Sequence, residues 1–213
     1  MRITAEKKRQ TRQRIMEVAH NLFVDKGFEK TTTRDIVAAA GIAAGTLFNY
    51  FPTKEALAMT LLAEALDRTE AEFGGRLQGD EDLAEALFAH VAAGLRGLAP
   101  HRRYVGEVLE TAMSPFGSNA VCEAAERVRL DHLEVVRQLL VSRCPEVSTG
   151  PSFIAIHLYW TLYLGVLAFW AKDESPNRED TLSVLDHSMR IFAESLTTHS
   201  PGQEEVIDEA ENR

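Results

Sequence analysis

What this sequence is short of narrows it first. Two cysteines, Cys122 and Cys144, are too few for a disulfide framework, and no apolar stretch follows the N-terminal charges as a secretory signal would, so a reducing cytoplasm is the expected address. No segment alternates with period two for long enough to make a strand, and nothing repeats at a period of roughly 20–50 residues. The motifs of enzymes are missing as well. Seven histidines are present, yet there is no His-Glu-x-x-His, no Glu-x-x-His pair and no nucleophile motif. Asp131-His132 and Asp186-His187 are sequence neighbours that point to different helix faces. Cys122 and His132 lack metal-site spacing. An all-α enzyme is therefore disfavoured, and neither metal nor cofactor is expected. Charge is absent from Val147 to Ala171 apart from His157, and Phe153 to Ala171 is long enough to cross a hydrocarbon layer of ~30 Å. His157, Thr161 and two tyrosines inside that run, with no basic flank, favour instead a helix buried in a core and an interface.

What is present is a division of charge. The formal net charge is −9, which by itself argues against a generic polyanion binder; residues 1–60, however, hold ten Lys and Arg against six acids, a net of +4, and the other thirteen bases face 26 acids, a net of −13. A basic N-terminal module is attached to an acidic body, and the body cannot be the nucleic-acid surface.

Apolar periodicity predicts helices throughout. Gln10 to Lys26 carries Ile15, Val18, Ala19, Leu22 and Phe23 at helical spacing, behind a frayed basic stretch 1–9, and Gly27 stops it. Thr31 to Lys54, TTTRDIVAAAGIAAGTLFNYFPTK, then reads as two short helices around a glycine turn, the sequence form of a helix-turn-helix. Thr32 can cap the first, with Asp35 answering it as in a capping box. Gly41 can leave that helix with positive φ. The second runs from about Ala43 to Tyr50 and is closed by Pro52, with Leu47 and Phe51 on its packing face. Thr53 can cap a fourth helix from Lys54 to about Phe73, long enough to belong to the DNA module at its start and to the body at its end. Further helices are expected over Asp80–Leu98, His101–Met113, Ser118–Arg143, Ser152–Lys172 and Arg178–Thr198, and the acidic residues 200–213 are expected to be disordered.

The stretch KGFEKTTTRDIVAAAGIAAGTLFNYFPTKEAL, preceded by a helix, resembles the N-terminal domain of the tetracycline-repressor (TetR) family of bacterial transcription regulators. The resemblance covers about Gln10 to Leu62; beyond it only the helix pattern agrees. It implies an all-α fold of about nine helices: a three-helix DNA-binding domain over 1–53, and a six-helix effector-binding and dimerisation domain over 54–199. It also implies a homodimer on an operator, released by a small molecule. By that resemblance Thr33, Phe48 and Lys54 match positions that touch phosphate, and Ala43, Ala44, Gly45, Asn49 and Tyr50 match positions facing the major groove. The chemistry agrees: Gly45 has no side chain to hold the helix off DNA, Asn49 can pair with a base edge, and Tyr50 offers a hydroxyl and a ring face. A lysine at a helix start gains nothing from the dipole, so Lys54 reads as a phosphate contact. Many relatives carry Lys, Arg or Ser at Ala44 and Tyr at Phe48. Direct readout should therefore be thin, leaning on Asn49, Tyr50, Thr46 and groove shape, with Arg9, Arg12 and Arg34 as backbone contacts. The competing readings are capping alone for Thr32 and Thr33, a solvated face for Arg9 and Arg12, and a core position, which is the stronger reading, for Phe48.

An effector would sit between helices of the body, in an apolar cavity with a few polar groups. Candidates for its lining are His90, Tyr104, Glu107, Met113 and Phe116, followed by Arg127, His157, Trp160, Tyr163 and Phe169. Their aromatic character favours an uncharged, apolar or aromatic effector. The last two helices are expected to pair across a two-fold axis, with Gly165 and Ala168 permitting close approach, and a dimer would place two recognition helices ~34 Å apart on a palindromic operator. The alternative without an effector is a ligand-independent architectural factor on the same fold.

Overall fold

The first helix, α1 (Ala5–Lys26), begins well before Gln10. Thr4 caps it by accepting from the Lys7 amide at 3.3 Å, and the straight-chain Glu, Lys, Arg and Gln residues that follow are good helix formers. Glu6 also takes Arg9 at 2.5 Å and Gln10 at 2.9 Å from the next turn. The expected frayed stretch is thus helical from residue 5. The computed structural model describes residues 4–73, 79–112, 122–144 and 151–198, and these hold nine α-helices and no strand. The expected tail 200–213 lies outside the described residues.

Gly27 ends α1 at φ +87°, and Phe28 folds back into the core. α2 (Thr33–Ala40) opens on a complete capping box: Thr32 Oγ1 accepts from the Asp35 amide at 3.1 Å, and the Asp35 carboxylate accepts from the Thr32 amide at 2.9 Å. Gly41, at φ +63°, makes the left-handed turn into α3 (Ala44–Tyr50), which ends ahead of Pro52. Thr53 caps α4 (Lys54–Phe73) by accepting from the Ala56 amide at 3.0 Å. Ile15, Phe23, Phe28, Ile36, Leu47 and Phe51 of the three-helix head close on Leu57 of α4 to form its core. Through Ala58, Leu61, Leu62 and Ala65 of α4, that core continues into the body without a break.

In the body, α5 (Leu83–Leu98) starts three residues after Asp80, because the capping box is made by Asp82 and Glu85. It is buried along most of its circumference and packs on α4, α7, α8 and α9. A 3-10 turn, Ala99–His101, with Pro100 at its start redirects the chain into α6 (Arg102–Ala112), which lies against α1, α4 and α8. α7 (Glu123–Arg143) is anchored at its end by the Arg143–Glu81 ion pair, 3.3 Å.

α8 (Phe153–Lys172) is the one helix among the described residues long and apolar enough to cross a membrane. Its buried face, including Ile156, Tyr159, Tyr163, Val166 and Trp170, packs into the body. The opposite stripe is bare in the protomer: Phe153 is 82% and Ile154 76% exposed, and Leu158 and Phe169 are exposed as well. α9 (Glu179–Thr198) is held at its start by Asp173, whose carboxylate accepts from the Thr181 amide at 3.0 Å and hydroxyl at 2.5 Å and from the Ser175 amide at 2.8 Å. The Thr181 hydroxyl, with those amides, holds the Asp173 carboxyl well below the usual carboxylate range.

Candidate DNA-reading surface and ligand cleft

α3 is fixed from one side only. Leu47 is its buried residue, Phe51 follows it into the core, and Ala43, Ala44, Gly45 and Asn49 are exposed. Thr46 and Tyr50 are half-buried, Tyr50 packing against the edge of the core. A Cβ built on Gly45 meets nothing within 4 Å, so the absence of a side chain there answers to no neighbour inside the protomer. Phe48 departs from expectation. It is 50% exposed, turned away from the core and onto the same outer face as Asn49.

Beside α3, Thr33 is half-buried at the first turn of α2, and Arg34 is exposed. Thr32 is committed to capping, and its amide and hydroxyl hold the Asp35 carboxyl below its ordinary range, with Lys26 3.4 Å from that carboxyl adding to the effect. Arg12 is engaged too. Its guanidinium pairs with Glu64 of α4 at 2.7 Å and lies 5.6 Å from the centre of the Phe51 ring, so it ties α1 to α4 instead of extending toward a backbone.

Lys54 requires a correction. Its ammonium turns inward, donates to the carbonyls of Phe28 at 2.7 Å and Thr31 at 3.1 Å, and sits 4.1 Å from the centre of the Phe28 ring. Partial burial lowers its pKa, opposed by Glu55, Glu29 and Glu107. A cation at a helix start is explained here by carbonyls of the α1–α2 connection, which no longer requires a phosphate.

The cleft lies between α4, α5, α7 and α8. Leu66, Val91, Ala93 and Val128 give it an apolar floor, Asp67, Thr69 and Asp131 supply polar groups, and His90, His132 and Tyr163 stand between. About 40 Å³ of space is free within it, enough for water and too little for a metabolite. The His90 and His132 rings are 4.9 Å apart, and His132 stacks on Tyr163 at 4.1 Å with its Nε2 3.0 Å from the Tyr159 hydroxyl. Burial pushes His90 down to about 4 and His132 well below its ordinary value, so both imidazoles are neutral near pH 7. The same burial raises the Tyr159 and Tyr163 phenols.

Of the ten lining candidates, His90 and Tyr163 reach the cleft, and Trp160 stands beside it, 5.4 Å from Tyr163 and 6.0 Å from His132. Tyr104 and Glu107 do not. The 3-10 turn aims α6 at the head, so the Tyr104 hydroxyl lies 3.1 Å from His20 of α1 and 2.5 Å from His101, while Glu107 accepts from the Glu29 amide at 3.1 Å. Arg127 is exposed, 3.7 Å from Asp131, and His157 and Phe169 belong to the bare stripe of α8, where His157 stacks on Phe153. Met113 and Phe116 lie outside the described residues. Asp131 and His132, set aside as neighbours on different faces, both line the wall, because α7 crosses the cleft at its edge.

Comparisons with known proteins agree with this architecture. A family model described as bacterial regulatory proteins, tetR family, matches residues 15–60, and one described as tetracyclin repressor-like, C-terminal domain, matches residues 87–212. The uncharacterized HTH-type transcriptional regulator YvdT of Bacillus subtilis is 39% identical over 75 residues, 35% of this chain and 39% of that protein. The HTH-type transcriptional repressor KstR2 of Rhodococcus jostii is 39% identical over 56 residues, 26% of this chain and 28% of that protein. The matched stretches thus span well under half of these curated relatives. Two solved structures share the fold at low identity. Thermus thermophilus FadR, a TetR-family repressor in complex with lauroyl-CoA, is 22% identical with a TM-score of 0.63, over 85% of this chain and 92% of its own. A TetR regulator from Rhodococcus sp. RHA1 is 19% identical with a TM-score of 0.64, over 86% and 96%. With the second family model covering more than half of the sequence, the chain belongs to the TetR family of bacterial transcriptional regulators, DNA-binding proteins and not enzymes.

Proposed function

We propose that this chain is a repressor that holds a palindromic operator as a homodimer and lets go when a small molecule enters the cleft between α4, α5, α7 and α8. Residues 1–53 act as the reading head, residues 54–199 as the effector-binding and dimerising body, and residues 200–213 as an acidic tail, all in the cytoplasm. The observation that carries this reading is the outer face of α3, where small residues, Phe48 and Asn49 are exposed on a basic head while the opposite face is locked by Leu47 and Phe51. Thr33, Arg34 and the Tyr50 hydroxyl flank that face as phosphate contacts. Thr46 sits at its edge.

Dimerisation is supported by α8 and α9. Phe153, Ile154, Leu158 and Phe169 of α8 and Leu182 and Ile191 of α9 are exposed large hydrophobics. Burying them against a two-fold mate gives a four-helix bundle and sets the two α3 helices ~34 Å apart. A Cβ on Gly165 meets nothing within 4 Å, so a side chain placed there leaves the protomer unstrained and tests the interface alone.

Selection of sites from random DNA by the full chain is expected to return an inverted repeat, and Gly165→Arg is expected to halve the hydrodynamic mass and abolish binding to it. Asymmetric sites, or an unchanged mass, would sink the dimeric reading. Operator release by no small molecule at all would favour an architectural factor on the same fold.

A further inference from the structure

We propose that the cleft takes an apolar organic cation, an ammonium or related onium centre on an alkyl or flat aromatic body; this deepens, and rests on, the reading of the cleft as the effector site. Two carboxylates line it, Asp67 from α4 and Asp131 from α7, and no Lys or Arg is among its described lining residues. The nearby bases, Arg68, Arg127 and Arg129, stand outside its wall, and Arg129 is paired with Glu126 at 3.3 Å. Arg127 reaches Asp131 at 3.7 Å with both side chains largely exposed, a pair weak enough for a ligand to displace. Arg68, the neighbour of Asp67, donates its Nε to the Glu64 carbonyl at 2.9 Å. The polar groups set between the helices are neutral: burial keeps His90 and His132 uncharged, so neither offsets the carboxylates.

Aromatic faces add to the attraction. Tyr163 stacks on His132 at 4.1 Å, and Trp160, 5.4 Å from Tyr163, has the Arg129 guanidinium 5.6 Å from its ring centre, within the range of a cation–π contact. Leu66, Val91, Ala93 and Val128 provide the apolar floor for the body of such a ligand. An anion would face the reverse. Its charge would meet two carboxylates, on a body whose residues 61–213 carry a net −13, with no base in the described wall to receive a carboxylate or phosphate. The lauroyl-CoA bound to the Thermus thermophilus relative carries such phosphates. The approximately 40 Å³ now free requires that the ligand spread α4 from α7 as it enters.

The test is calorimetric titration of the full-length dimer with four twelve-carbon probes below their micelle concentrations: dodecyltrimethylammonium, dodecanol, dodecanoate and lauroyl-CoA. The cation is expected to bind at least tenfold tighter than the alcohol, and the two anions more weakly than the alcohol. The advantage of the cation should shrink as salt rises. In the Asp67→Asn, Asp131→Asn double variant, whose replaced side chains are exposed and whose melting temperature should be unchanged, the cation should fall to the affinity of the alcohol while the alcohol is unaffected. The assignment is overturned if either anion matches the cation, or if the double variant keeps the preference. Release of the selected operator separates the two readings. An anion that binds and releases DNA leaves the effector role standing and removes the cation; a cation that binds through Asp67 and Asp131 without altering DNA affinity does the opposite.

Discussion

In the head, the residues proposed to meet DNA stand outside the fold, whereas in the body His90 and Tyr163 of the cleft are buried within it and Asp67 and Asp131 stand exposed at its mouth. α3 is anchored by Leu47 and Phe51 and presents Asn49 and Phe48 without any rearrangement. The cleft draws on four helices and holds about 40 Å³ of free space. A preformed surface binds its partner without a conformational cost, whereas a cleft with so little free space must widen, and the widening is what a ligand can use to move helices. The contacts that such a movement would disturb are visible where the two regions meet. Glu107 of α6 accepts from the Glu29 amide, Lys54 of α4 clasps the Phe28 and Thr31 carbonyls, and the Tyr104 hydroxyl stands between His20 of α1 and His101. A hydroxyl has one proton, so it donates to one imidazole and accepts from the other, which ties head and body through a single atom.

If the head alone carries the electrostatic attraction, raising salt should cost more than any single substitution. Operator affinity, followed by fluorescence anisotropy, is expected to fall by about 10³-fold or more between ~50 and ~200 mM salt, as a protein covering several phosphates does. Affinity that stays level across that range would mean that the +4 head does not meet the phosphates.

Acid should separate the two regions next. Burial holds His90 and His101 at about 4, against an ordinary value of 6.5, with His20 and Arg68 adding to the effect at His101. Below pH 6.5 the unfolded chain therefore takes up protons that the folded chain refuses. The stabilisation is complete above about 6.5 and is lost as the pH falls to about 4. Residues 27–60 contain no histidine, and the capping Asp35 stays ionised below its ordinary range. The head's one histidine, His20, is also lowered by burial but sits on α1 at the junction with Tyr104, away from α2. Amide exchange is expected to quicken in α5 and α7 before α2 across this window, and His90→Leu should flatten the decline in melting temperature. Simultaneous loosening of head and body would break the distinction.

The same contrast explains how much could be read from sequence. Rules that act within one turn of helix were legible in the head: the Thr32–Asp35 box, the left-handed Gly41 and the Thr53 cap all stand as their spacing predicts. Contacts across the fold were not. Lys54 finds its carbonyls more than twenty positions earlier in the chain, so its inward turn left only an unexplained cation at a helix start. Aromatic residues usually lie in a core, but Phe48 is half exposed on the outer side of α3. In the body, periodicity found each helix but not its rotation. Tyr104 and Glu107 face the head because Pro100 and the 3-10 turn reorient α6, and Asp131 joins His132 in the cleft wall because of where α7 crosses α4 and α5.

The finest comparison is between Asn49 of the head and Lys54, where the body begins. Asn49 is exposed and free to meet a base edge, so Asn49→Ala is expected to cost about 1–3 kcal/mol of discrimination against substituted operators. Melting temperature and binding to unrelated DNA should scarcely change. Lys54→Met keeps the apolar stem over Phe28 and removes the donor shared by the Phe28 and Thr31 carbonyls, at an expected cost of about 1 kcal/mol of stability. Its effect should appear as a lower melting temperature in the absence of DNA, with the salt slope of binding unaltered. A Lys54→Met variant that melts like the parent but loses about one unit of salt slope would return this lysine to the phosphate backbone and show that its inward clasp opens on DNA.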